Sequence, residues 1–108
     1  MTDLEITRLC AEAMGITVRQ SAVRGTIMRW CYTDGNVEKW YQPLYDDAQA
    51  MALVKKFRLI VEPKLGFGLL SIHPAGSGPE ISIGVGKYAA NLNRAICECV
   101  AKMEQAKK

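Results

Sequence analysis

The stretch Trp40–Phe57, WYQPLYDDAQAMALVKKF, places an acidic pair, Asp46-Asp47, between a Pro-Leu turn and an apolar run studded with lysines. Two adjacent carboxylates can cap a helix, bind a metal or exchange protons with a substrate. Helix capping explains most of this pattern. Ala50, Leu53, Val54 and Phe57 recur as one face of a helix that begins after Tyr45. Asp46 and Asp47 then fall at its positive end, and Lys55, Lys56 and Arg58 at its negative end. Asp46 and Gln49 have the spacing of a capping box. A hydrolase using Asp46 and Asp47 is the weaker alternative.

Other chemistries find little support. The four cysteines, Cys10, Cys31, Cys97 and Cys99, and the single His73 lack the spacing of zinc ligands. Cys97 and Cys99 point in different directions on a helix. Neither a metal nor a required disulfide is expected, and Cys10 and Cys99 read as small core residues. The run GVGK, residues 84–87, precedes a helix but is not a P-loop, since Ile81 and Tyr88 stand where Gly and Ser/Thr belong. A looser anion site at that helix start remains open, with Lys87 contributing. His73 lies before Pro74 in a turn-rich stretch, with no Gly-x-Ser-x-Gly motif beside it. No catalytic residue and no cofactor is assigned, and the balance leans away from an enzyme. Arg94 is the odd cation. With helix three starting near Asn91, it falls in the first turn, where the dipole disfavours positive charge. Its partner is then a carboxylate or an anionic ligand. Trp30, Tyr32, Trp40, Tyr41 and Tyr45, with Arg19, Arg24 and Arg29, offer stacking and charge for a nucleotide-like molecule. Against this, aromatic residues of small domains usually fill the core.

The elements that position these residues follow from pattern. Thr2 and Glu5 form a capping box, Ile6, Leu9, Cys10 and Ala13 make one helical face, and Gly15 suits the left-handed stop, giving a first helix over about Asp3 to Met14. Strands are expected near Thr17–Val23 and Thr26–Tyr32, with a hairpin signal at Asp34-Gly35 and a short extended piece near Val37–Tyr41. LIVEP reads as a strand stopped by Pro63, followed by strands in FGLLSIHP and ISIGVGK. In the last, Ser82, Gly84 and Gly86 make a face almost without side chains, suited to close approach of another element or a second subunit. The third helix carries Leu92, Ala95, Ile96, Cys99, Val100 and Met103 on one stripe. The fold class is α+β, with three helices packed on a mainly antiparallel sheet of four or five strands.

The chain has 108 residues, which suit one domain, residues 1–108, with a real core. It is 49% hydrophobic and 23% charged, ordinary for a globular domain, and its net charge of +3 argues against a dedicated nucleic-acid binder. No apolar stretch is long enough for a bilayer. The start MTDLEITRLC is acidic and amphipathic, unlike a signal peptide, so a cytoplasmic location is expected.

Two segments, WYQPLYDDAQAMALVKKFRL and NLNRAICECVAKM, resemble paired signatures of small phage and prophage proteins containing the phage ABA sandwich domain. The residues that carry the likeness are Trp40, Pro43, Leu44, Asp46 and Asp47, then Asn93, Arg94, Ala95, Ile96, Cys97 and Glu98. RLCAEAMGITV resembles the family's first helix and glycine stop. The likeness runs through nearly the whole chain. It implies an α/β/α sandwich, a bacterial host cell as location, and no assigned activity or catalytic residues to carry over. The family often has Asp-Pro-Asn-Arg before the last helix. Here the residues are Asn91-Leu92-Asn93-Arg94, which leaves the cap open between Asn91 and Asn93.

The leading expectation is a small, non-enzymatic accessory protein that binds a host protein or itself as a homo-oligomer. The alternative is a module that sequesters an anionic, nucleotide-like small molecule through Lys87, Arg94 and Trp40. A bidentate bond between Arg94 and one carboxylate of Asp46-Asp47 is expected to tie the starts of helices two and three.

Overall fold

The computed structural model describes the backbone of residues 2–23, 27–64, 69–76, 78–84 and 88–107, and their side chains except at 21–23, 27–29, 64, 69–70, 83–84 and 88–91. Arg24, Gly86 and Lys87 lie outside the described residues, as does the side chain of Arg29.

Local signals set the first helix, α1, over Asp3–Met14. The Thr2 side chain accepts from the Glu5 N–H at 3.2 Å, and Gly15 ends the helix at φ 74°. A meander follows: β1 (Arg19–Val23), β2 (Ile27–Asp34) and β3 (Val37–Trp40), all antiparallel. Asp34 pairs with Val37, so Gly35 and Asn36 form a two-residue hairpin loop, and Gly35 takes the positive φ that such loops demand. The second helix, α2, is Asp47–Phe57. Next come β4 (Leu59–Lys64), β5 (Leu69–Pro74) and β6 (Ile81–Gly84), a second antiparallel sheet with β5 in the middle. The last helix, α3, is Tyr88–Ala106.

The protein is therefore α+β, with three helices and antiparallel strands among the described residues. The described strands form two three-stranded sheets, β1-β2-β3 and β4-β5-β6, where one sheet of four or five was expected. The helices touch one another, α3 lying against both α1 and α2, and each sheet packs on them from its own side. The first sheet meets α1 through β2; the second meets α3 through β5 and β6, and α2 through β4. The single sheet with helices on both faces that the resemblance implies is not the arrangement seen.

Two local expectations are corrected and one is met. Pro63 does not stop β4, which continues to Lys64. β4 is an edge strand, so a residue without an N–H can sit there with its missing donor facing outward. His73 lies in β5, paired with Ile60, within the strand expected in FGLLSIHP. α3 begins at Tyr88, ahead of Asn91 and Asn93, so both are inside the helix and neither caps it. Ala89 and Ala90, strong helix formers, carry the helix back by a turn.

The core gathers Ile6, Leu9 and Cys10 from α1, Leu53 from α2, Ile72 and Ile81 from the second sheet, and Ile96, Cys97, Cys99, Val100 and Ala101 from α3. Ile72 and Leu53 are fully buried. The helix stripes read from the sequence meet here, joined on α3 by Cys97 and Ala101, which that stripe did not include.

Candidate functional site

The acidic pair divides its labour. Asp46 is the N-cap of α2, and its Oδ1 accepts from the Gln49 N–H at 3.0 Å. Asp47 turns toward the last helix, where its Oδ1 accepts from Asn93 Nδ2 at 2.8 Å. The pair thus ties the start of α2 to α3, but through an asparagine. The expected bond to Arg94 is absent. Arg94 instead donates to Asp3 at 2.5 Å and to Glu98 at 3.0 Å, joining α1 to α3. The bond to Asp3 holds its guanidinium firmly protonated. Because α3 starts at Tyr88, Arg94 stands in the second turn, where the helix dipole has faded and asks for no special anion.

The chain enters α2 through a turn built on Pro43. Pro43 is fully buried, and the Tyr45 and Asp46 N–H groups both donate to the Gln42 carbonyl at 2.9 Å. Gln49 completes this junction. Its Oε1 accepts from the Gln42 N–H at 2.7 Å and its Nε2 donates to the Trp40 carbonyl at 3.0 Å. The Tyr41 N–H points back to Trp30 at 2.9 Å, so Trp40 and Gln42 turn these groups away from β2. One side-chain amide thus takes the acceptor and the donor that a neighbouring strand would have used. Gln49 plugs the open edge of the meander. This is not the return bond of a capping box; the sequence spacing showed the residue but not its reach.

Beside this plug lies an open groove of about 360 Å³. Met14 and Ile16 line it from the end of α1, Tyr32, Lys39 and Tyr41 from the meander, and Asp46, Ala48, Gln49 and Ala52 from α2. Tyr32 and Tyr41 meet edge to face, with ring centroids 6.1 Å apart. Tyr41 is buried and its hydroxyl has no hydrogen-bond partner; burial pushes its ionisation far up, so it stays a neutral phenol. Side chains alternate along β3, so Val37 shares the face of Lys39 and Tyr41. Val37 is 57% exposed and Tyr45, just before the cap, 76%. Trp40 points to the opposite face of the meander, the face where Arg19 pairs with Glu38 at 2.9 Å. Lys39 is paired with Asp34, also at 2.9 Å.

Of the three residues proposed for an anionic ligand, neither Arg94 nor Trp40 lines the groove. Lys87 lies outside the described residues, Arg94 is held by two carboxylates, and Trp40 is on the meander face away from the groove. Among the aromatics, Trp30 anchors the meander, its Nε1 donating to the Leu4 carbonyl at 2.9 Å.

His73 and Ser71 share one face of β5, and Glu62 stands opposite Ser71. The set resembles a nucleophile, base and carboxylate by type only. Both ring nitrogens of His73 are engaged, Nδ1 at 3.1 Å from the Pro74 carbonyl and Nε2 at 3.0 Å from Glu62. Neither faces the Ser71 hydroxyl, which is buried and without a partner. Two flanking acceptors suit an imidazolium, and the bond to Glu62 raises the His73 pKa above its ordinary value. Among the described residues no three His, Cys, Asp or Glu side chains converge as a metal site, and no helix is long and apolar enough to cross a membrane.

Comparison of the chain with protein-family models, curated proteins and solved structures returns no match.

Proposed function

We propose that this chain is a small, non-enzymatic binding protein, an accessory protein of the phage and prophage class that its sequence resembles, and that it acts by engaging another protein. The observation that carries this reading is the junction of β3 and α2. An open groove with largely apolar walls lies there, and Val37 and Tyr45, close in sequence to its lining residues Lys39 and Asp46, are exposed, the kind of surface that marks an interaction site. The acidic pair supports the same reading, because Asp46 is engaged as a cap and Asp47 in a bond to Asn93.

Self-association is the narrower form of the proposal. It does not run through β3 as an added strand. A two-fold axis between two copies of one antiparallel edge sets a residue against itself. Registers centred on the two middle residues therefore oppose Glu38 to Glu38 or Lys39 to Lys39, which like charge disfavours. A homo-oligomer would use the groove or the Ser82 face of β6, where Ser82 is exposed.

Native mass spectrometry of the protein recovered from the cells that make it tests the proposal. A retained protein partner or a second copy is expected, and it should be lost in Ala48→Lys, which fills the groove, and in Tyr45→Ser, with little change in thermal stability. A bare monomer, or an assembly indifferent to both substitutions, would overturn it.

A further inference from the structure

We propose that Cys10 and Cys97 are an oxidisable pair that closes into a disulfide between the first and the last helix, a redox-sensitive latch across α1 and α3. The two cysteines are far apart in sequence, yet the Cys10 thiol donates to the Cys97 carbonyl at 3.3 Å. Both are completely buried. That bond brings the Cys10 sulfur against the backbone of Cys97 itself, on the facing helix. A disulfide needs Cα atoms within about 7 Å. Ala11, next to Cys10, and Ala101, one turn beyond Cys97, are small and completely buried, and α1 packs on α3. The Arg94–Asp3 bond, one turn before Cys97 on α3, fixes how the two helices meet. Tyr41, whose buried hydroxyl has no hydrogen-bond partner, belongs to the same core cluster as the two cysteines.

The other two cysteines are internal controls. The Cys31 thiol donates to the Arg19 carbonyl within the meander, and the Cys99 thiol to the Pro79 carbonyl ahead of β6. Burial raises the pKa of Cys31, and that of Cys99 to about 11, so both resist forming thiolate. The Cys97 thiol is pushed up as well, by the bond to Cys10 and by burial. Thiolate is the attacking form, so the folded, closed helix pair reacts slowly. Reaction proceeds when α1 lifts from α3. One thiol loses its proton and attacks a disulfide oxidant such as oxidised glutathione, expelling one glutathione thiolate. The second thiol, deprotonated in turn, displaces the other. One oxidised glutathione is consumed, two reduced glutathiones form, and the protein loses two protons and two electrons. The product pins the N-terminal helix to the C-terminal one and closes most of the chain into a loop, which restricts the unfolded state.

The test oxidises the full chain with oxidised glutathione, with and without a urea concentration below the unfolding transition, and maps the product by mass spectrometry without reduction. Cys99 lies two residues from Cys97 on the same proteolytic fragment, so the Cys31→Ser/Cys99→Ser variant gives the unambiguous map. Expected is a product lighter by two hydrogen atoms, a cross-link between α1 and α3 in both the wild type and this variant, and a faster reaction in urea. A higher melting temperature that reductant reverses is also expected. Cys97→Ala should give no cross-link. A product bridged through Cys31 or Cys99, glutathione adducts without the cross-link, or a fully reduced pair in urea would each overturn the proposal. Should the double variant fail to fold, the wild-type product fragmented between residues 97 and 99 gives the same answer.

Discussion

The α1–α3 contact and the β3–α2 junction stand at opposite ends of one scale. At the first, Cys10, Ala11, Cys97, Val100 and Ala101 are completely buried, and polar groups reach only one another or the backbone. At the second, all four residues of β3 are exposed, a groove stays open, and the strand edge is closed by one side-chain amide. Close packing makes the first region intolerant of any change in volume. Hydrogen bonds at a wet surface make the second tolerant of substitution and free to meet a partner. On the proposed reading, stability and recognition are held by different residues.

The largest effect should come from the packed side. Leu53, fully buried on α2, is expected to cost about 2–5 kcal/mol when replaced by Ala. Urea denaturation reads this directly, and a loss near zero would erase the contrast between the regions. Next comes the acidic pair. Asp46→Ala removes the α2 cap and should cost roughly 0.5–2 kcal/mol. Asp47→Ala, which loses an exposed bond to Asn93, should cost less than about 1 kcal/mol. Equal losses would mean that the two carboxylates do not divide their roles. Gln49→Ala strands the Trp40 carbonyl and the Gln42 N–H and should cost about 1 kcal/mol. It should also speed amide exchange at Gln42 more than anywhere in α3; exchange unchanged at Gln42 would dismiss the plug.

The smallest effect is a pH dependence. The folded-state pKa of His73 is raised, chiefly by Glu62, so protonation favours the folded form. That contribution is fully present below the unfolded value of about 6.5 and is lost as pH rises through the higher folded value. In His73→Gln the melting temperature should fall less over this interval than in the wild type; parallel curves would show that the imidazolium contributes nothing.

What the sequence disclosed was what is local. Thr2, Gly15, the Asp34-Gly35 hairpin and the Asp46 cap depend on residues three or four apart, and each was readable from spacing alone. The start of α3 was misread because Asn91 and Asn93 look like caps until Ala89 and Ala90 are seen to extend the helix. Partners distant in sequence left no local trace. Arg94 finds Asp3 and Asn93 finds Asp47 because α3 packs between α1 and α2, a fact that no spacing rule contains. The division into two sheets was hidden for the same reason, since strand runs do not announce which neighbours they will pair with. At the candidate site, Tyr41, Asp46 and Gln49 were visible singly. The groove they form with Met14 and Ile16 depends on how α1 meets the meander.

Native-state hydrogen exchange across the whole chain measures the contrast most directly. The amides of Ile6 to Ala11 and of Ala95 to Ala101 are expected to be the slowest, exchanging together and only through global unfolding. The amides of Val37 to Trp40 are expected to exchange through local opening, well before that limit. Protection in β3 equal to that in α3, or a helix pair that exchanges as readily as the meander edge, would contradict the separation of a packed scaffold from a presenting surface.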